Sequence, residues 1–223
     1  MPLAAPPTSG RETVVVLHGV ALGRSWTALL ARRLAAEGFD VHNLGYPSRT
    51  RPLSELGERW LPETLQALGL DAVPRLHFVT HSMGGLVVRR FLAVHRPANL
   101  GRVVMLVPPN HGSPLADRLQ HRALFRGLFG CNLAALGTGP AAFCHTLPPT
   151  ADFELGIIAG CRRLNPLGRL WLHGPNDGTV EVTSTRLEGM TAHVVLPRSH
   201  TVILFQRRAA ALAAAFLRHG RFG

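Results

Sequence analysis

The chain has 223 residues, nearly half of them apolar, which is enough for one domain with a substantial core and too few for two ordinary ones. Its formal charge is +11, and all 24 basic residues are arginines scattered in pairs such as Arg32-Arg33 and Arg207-Arg208. With no basic run, no zinc-finger spacing and a single Tyr, the composition argues against a nucleic-acid partner and for an arginine-biased globular protein. Met1 to Gly10 carries no basic, apolar leader, and no apolar stretch reaches the ~20 residues that span a bilayer. Cys131, Cys144 and Cys161 are unpatterned, so a soluble, cytoplasmic location is expected, with a Cys131–Cys144 bridge as the alternative within one loop.

In chain order, Thr13-Val14-Val15-Val16-Leu17 reads as a buried strand that ends at His18-Gly19. Ser25 is placed to cap a helix running to about Glu37 and closed by Gly38. Phe39 to Leu44 forms the next strand, and Leu56, Trp60, Leu61 and Leu65 mark an amphipathic helix over about 53–68. Leu76-His77-Phe78-Val79-Thr80 is the third strand, followed directly by a helix from Met83 to about His95. Gly101 to Val107 is a fourth strand, stopped by Pro108-Pro109. The regularity lapses over about 110–150, where one helix is expected. Leu155 to Ala159 and His193 to Leu196 then give two more strands, and Thr201 to about His219 a long closing helix. Strands alternating with helices predict an α/β protein, a three-layer α/β/α sandwich with a mostly parallel sheet. Ligands of such sheets sit at the carboxyl ends of the strands.

Ser82 stands at that edge, between strand and helix, in Thr80-His81-Ser82-Met83-Gly84-Gly85. A sharp strand-to-helix turn would expose its oxygen and set it at the free N–H groups of a helix start. Gly84 supplies the small residue that the turn needs downstream; Thr80 replaces the glycine usual upstream. A serine hydroxyl also needs a base. Of the late histidines His145, His173, His193, His200 and His219, only His200 follows the last strand by a short loop and so reaches the serine. His193 begins that strand, at the opposite edge. Candidate acids after the serine are Asp117, Asp152, Glu154, Asp177, Glu181 and Glu188; Asp152 and Glu154 precede their strand.

The first strand with His18-Gly19, the Thr-His-Ser-Met-Gly-Gly segment and the later Asp177-Gly178-Thr179-Val180 and His200, in that order, resemble bacterial α/β-hydrolases of the lipase/esterase type. The branch most similar includes GPI inositol-deacylase-like and lecithin–cholesterol acyltransferase-like proteins. The resemblance runs from about Glu12 to the C-terminus. It implies a sheet trimmed of the first antiparallel strands, Asp177 as the acid with Glu181 as fallback, and an oxyanion hole from the N–H groups of Met83 and Val20, with Ala21 as the alternative to Val20. The implied activity is cleavage of carboxylic esters, including lipid esters. Acyl transfer, thioester or amide cleavage, and a non-catalytic binding module are the rivals.

His18, Gly19, His81, Asn110 and His111 stand at the same edge and are candidate substrate-binding residues, although a plain turn accounts equally for Pro109 to Ser113. His77 and His81 would stand ~13 Å apart on a strand and cannot share a metal. Without clustered ligands, neither metal nor cofactor is expected. In the irregular segment Leu115, Leu119, Phe125, Leu128 and Phe129 fall near helical spacing, with Arg118, Arg122 and Arg126 four apart. This is either a solvated face over a core helix or, as the insertion over about 110–150 lies on the active edge, a basic, amphipathic lid that meets an acyl substrate or makes weak contact with a membrane surface.

Overall fold

The computed structural model describes residues 10–164 and 166–223 of the chain; the Pro-rich leader lies outside them. Six parallel strands form one sheet in the order β2-β1-β3-β4-β5-β6. They are β1 (Thr13–Leu17), β2 (Asp40–Leu44), β3 (Leu76–His81), β4 (Leu100–Leu106), β5 (Leu155–Gly160) and β6 (Ala192–Leu196). The expected sheet was mostly parallel; every pairing between the six described strands is parallel.

Side-chain alternation splits the apolar strands between two cores. Val15, Leu17, Phe78, Val103, Met105 and Ile157 face one way, into a core shared with Leu53, Leu61, Leu86 and Phe91. Val14, Val16, Val79, Val104, Leu106 and Ile158 face the other, against Leu30, Leu34, Ala213 and Phe216. Helices α1 (Arg24–Ala36) and α9 (Arg207–His219) cover the second face; α2 (Leu53–Glu55), α3 (Leu61–Ala67) and α4 (Met83–Val94) cover the first.

Several boundaries differ from the sequence expectation. Gly23, not Ser25, precedes α1, and no side chain caps it. The helix expected over 53–68 is interrupted by a π turn at Leu56–Trp60 between α2 and α3. Pro62 accounts for the break: it has no N–H for the carbonyl of Glu58, four residues earlier. That carbonyl instead accepts from Nε2 of His95, 2.9 Å away. The closing helix begins only at Arg207, because Val202–Phe205 winds as a 3₁₀ turn and Gln206 is extended (φ −88°, ψ 127°).

Between β4 and β5 the expected single helix is two short ones, α5 (Pro114–Leu119) and α6 (Ala123–Phe129), followed by 3₁₀ turns at Gly130–Asn132, Ala134–Leu136 and Phe143–Thr146. Arg118 therefore lies on α5 and Arg126 on α6, so the three arginines do not stack on one helix. Buried Asn132 ties this insertion to the loop after β2: its Oδ1 accepts from the Leu53 N–H, and its Nδ2 donates to the Ser48 and Arg51 carbonyls. After β5 come α7 (Pro166–Trp171) and α8 (Val182–Thr185), which the sequence pattern did not foretell. The three cysteines are free thiols, Cys131 and Cys161 exposed and Cys144 buried, so the alternative bridge between Cys131 and Cys144 is not formed.

Phe216 of α9 is fully buried, and its ring fills the space above Gly156, where a Cβ would come within 2.8 Å of it. Phe216→Ala is expected to cost about 3–5 kcal/mol of unfolding free energy, because the β5 backbone beneath cannot rise to fill the void. Urea unfolding measures this; a loss below ~1 kcal/mol would mean that the helix can settle onto the sheet.

Candidate active site

The strand order reverses between β1 and β3, and the carboxyl ends of these two strands carry the segments that matter. After β1 the chain passes through His18 and Gly19 into a turn closed by Leu22 N–H to Gly19 O (3.4 Å), with Ala21 at φ +57°. After β3 comes Ser82, in the left-handed region at φ +52° and ψ −123°, with α4 starting at the next residue. The Ser82 N–H still bonds to the Leu106 carbonyl of β4 (2.9 Å), so the sheet holds the turn from one side. From the other side the end of β1 presses on it. A Cβ at Gly84 would lie 2.8 Å from the His18 carbonyl oxygen, which is why only glycine fits there. Thr80, in place of the glycine usual upstream, is fully buried, and its hydroxyl has no hydrogen-bond partner.

Ser82, His200 and Asp177 come together although they lie far apart in the chain. Ser82 Oγ is 3.0 Å from His200 Nε2, and His200 Nδ1 is 2.7 Å from Asp177 Oδ2. Asp177 is 1% exposed; its other oxygen accepts from the N–H groups of Thr179 and Val180, both at 2.8 Å, so the carboxylate is held in place by its own turn. An acceptor-only carboxylate takes a proton bond from Nδ1, which leaves the lone pair of Nε2 for the serine hydroxyl. Glu181, the fallback acid, instead accepts from the backbone N–H of His173. His193 is bonded to Thr185 Oγ1 (3.0 Å) at the start of β6, away from the serine.

A cavity of about 350 Å³ opens over Ser82, a size ordinary for small-ligand sites. Gly19, Val20, His81, Ser82 and His200 line its polar end. Apart from Ser113, Thr179 and Thr201, the rest is apolar, with Leu22, Pro109 and Val180 from the sheet edge and Leu115, Leu119, Phe125, Leu128, Phe129, Leu133 and Leu136 from the insertion. The sequence pattern put the insertion at the active edge as a lid candidate that meets lipid or an acyl substrate, but did not show that it lines most of the pocket. The signal was present in Leu115 to Leu136; what it lacked was the fold of two short helices back over the serine.

Three of the candidate substrate-binding residues stand elsewhere. His18 is 1% exposed and stacked on Tyr46, with ring centroids 4.2 Å apart. The Tyr46 N–H donates to its Nε2 (3.3 Å) and the Tyr46 hydroxyl to its carbonyl (2.7 Å), while Nδ1 donates to the Gly19 carbonyl (2.8 Å). Every polar atom of the ring is thus spent on shaping the turn after β1. Asn110 is buried, donating to the Thr185 carbonyl (2.8 Å) and accepting from Arg89 (3.2 Å). Arg89 also donates to the Pro148 carbonyl (2.7 Å) and so joins the two ends of the insertion to α4; burial lowers its pKa to about 10 and leaves it cationic. His111 is exposed and lines a separate surface cleft with Glu181 and Ser184. Among the described residues no cluster of His, Cys, Asp or Glu is arranged to hold a metal ion.

No protein-family model matches the sequence, and no curated protein shows significant similarity to it. Solved structures do. The mature form of Bacillus licheniformis lipase BlEst2 is 21% identical, with 99% of this chain and 96% of that one aligned at a TM-score of 0.73. Aspergillus fumigatus lipase B is 16% identical over 99% of this chain and 57% of that one (TM-score 0.71). Phospholipase PlaB from Legionella pneumophila is 20% identical over 84% of this chain and 52% of that one (TM-score 0.69).

Burial lowers the pKa of His18, His77 and His81 from the usual 6.5, the last to about 3. The unfolded chain therefore takes up protons that the folded one refuses as pH falls below 6.5, and stability present above that value is lost on acidification. His81 alone would contribute a loss of about 2 kcal/mol at pH 5. The melting temperature is expected to fall between pH 7 and pH 5, less steeply in His81→Gln; a flat or rising profile would contradict this. The geometry above and the likeness to solved structures agree on one architecture, and the fold of this chain is that of the α/β-hydrolases.

Proposed function

We propose that the chain is a serine hydrolase that cleaves carboxylic esters, with Ser82 as nucleophile, His200 as base and Asp177 as the acid that orients it. The observation that carries this reading is the unbroken hydrogen-bonded chain Asp177–His200–Ser82 at the floor of an apolar cavity. His200 Nε2 takes the Ser82 proton as Oγ attacks the acyl carbonyl, and the Asp177 carboxylate stabilises the imidazolium without taking the proton itself. The oxyanion is met by the N–H of Met83, at the start of α4, and by that of Val20, or Ala21, in the turn after β1. His200 returns the proton to the leaving alcohol. A water, deprotonated in turn by His200, then releases the acyl group from Ser82. The lipases and the phospholipase among the similar structures support an ester or lipid-ester substrate.

Fluorophosphonate labelling and a series of p-nitrophenyl esters test this. Wild type is expected to label and to turn over octanoate better than acetate, as an apolar cavity favours the longer chain. Ser82→Ala should abolish labelling and lower kcat by ~10⁴-fold or more. An inert wild type would overturn the hydrolase reading, and unchanged turnover in Ser82→Ala would move the nucleophile elsewhere.

A second reading concerns where the ester is presented. No residue of α6 is buried; Leu124 is 77% exposed and Leu128 51%, beside exposed Arg122 and Arg126. Trp26 and Phe205, 43% and 40% exposed, stand at the same edge of the sheet. Among the described arginines of this edge (24, 49, 51, 118, 122, 126, 162, 163 and 198) only Arg51 has a carboxylate partner, Glu55. We infer an anionic lipid surface as the partner of this rim, apolar side chains entering it and arginines meeting its head groups. Sedimentation with phosphatidylcholine vesicles should leave the protein in solution, and added phosphatidylglycerol should pull it down, reversibly with salt. Loss of this binding in a Leu124→Glu, Leu128→Glu double variant is expected; equal binding to both vesicles, or to neither, would overturn the inference.

A further inference from the structure

His81, the residue before Ser82, has no part in the steps above, yet it is 1% exposed and wedged between the two segments that those steps require. Its Nε2 lies 2.9 Å from the carbonyl oxygen of His200. A carbonyl only accepts, so Nε2 carries the hydrogen and donates, and Nδ1 is left as a bare lone pair. That Nδ1 has no hydrogen-bond partner and faces the turn after β1, where a Cβ on Gly19 would lie 2.8 Å from it. On the other side of His200, its backbone N–H donates to the Asp177 carbonyl (3.1 Å). The main chain of the base is therefore held at both its N–H and its C=O, once by the acid's own backbone and once by the His81 side chain.

Resting on the reading of Ser82, His200 and Asp177 as a triad, we propose that His81 is a positioning residue for the base: its Nε2–H pins the His200 carbonyl and keeps the His200 imidazole in reach of both Ser82 and Asp177. The choice of histidine follows from the chemistry next door. The donor stands 5.0 Å, ring centre to ring centre, from an imidazole that becomes a cation in every cycle. A lysine or arginine there would oppose that cation. Burial first, then the proximity of His200 and of His18, depresses the His81 pKa to about 3, so the ring donates as a neutral group at any pH at which the base works. Apart from these two histidines, Asp177 beyond His200 is the ionisable group held against this unit.

Two substitutions separate the role from mere packing. His81→Leu keeps much of the bulk and removes the donor; His81→Gln restores a neutral N–H. With p-nitrophenyl octanoate, His81→Leu is expected to lower kcat by about 10²-fold, the order of loss that follows a misplacement of ~1 Å, with KM within about twofold of wild type. His81→Gln should recover at least tenfold of the lost kcat. A readout independent of turnover is the downfield proton signal of His200 Nδ1–H, assigned by its absence in His200→Ala. It should broaden or vanish in His81→Leu and return in His81→Gln. An unchanged signal or unchanged kcat in His81→Leu overturns the proposal, as does a loss of kcat that Gln does not restore or that follows the folded fraction in thermal melts. A wild type inert to fluorophosphonate but with the signal behaving as described would sink the hydrolase reading and leave the positioning role standing.

Discussion

Everything at this site depends on one strained turn. Ser82 holds a backbone conformation that a residue with a side chain adopts only at a cost of order 1–3 kcal/mol, and it persists because its surroundings leave no alternative. The Leu106 carbonyl grips its N–H, and the carbonyl of His18 lies against Gly84, the second residue of α4. The same close approach brings the turn after β1 over the start of a helix, where N–H groups have no partner within the helix. A hydroxyl turned into the cavity and the helix-start N–H groups beside it are thus consequences of one packing arrangement.

Two histidines buried around this turn, His18 and His81, are held neutral by burial, and each serves as a fixed-tautomer connector. His18 bonds Tyr46 to the turn after β1, and His81 reaches the carbonyl of His200. A neutral imidazole can donate at one nitrogen and accept at the other, which suits places where a charge would be expensive to bury. The accompanying liability is acid, since each ring that is kept neutral by burial favours unfolding once the pH falls below the usual imidazole range.

The insertion between β4 and β5 supplies most of the apolar wall while contributing little to the sheet. Its ends are held firmly by Arg89 at Asn110 and Pro148, and just beyond α6 Asn132 ties it to the loop after β2. Its middle, α6, buries no residue at all. Anchored ends and an uncovered middle place an apolar, arginine-bearing surface at the mouth of the cavity.

Much of this was legible in the sequence, and for a definite reason. The carboxyl edge of a parallel sheet is defined by chain direction alone, so a serine directly after one strand and a histidine directly after another must face the same crevice. Ser82 and His200 could be placed by that rule, and Asp177 by the resemblance of its Asp-Gly-x-Val turn. Short apolar, β-branched runs bounded by turn residues likewise marked the strands with errors of a residue or so. What the tertiary structure decided were contacts between segments remote in sequence. His18 turned out to be consumed by Tyr46, Asn110 by Arg89 and Thr185, and His111 to lie outside the cavity. The π turn needed both Pro62 and His95, and the pocket wall needed the break between α5 and α6. Local periodicity reports which face of an element is buried; it carries no information on which partner buries it, and a pocket is made of partners.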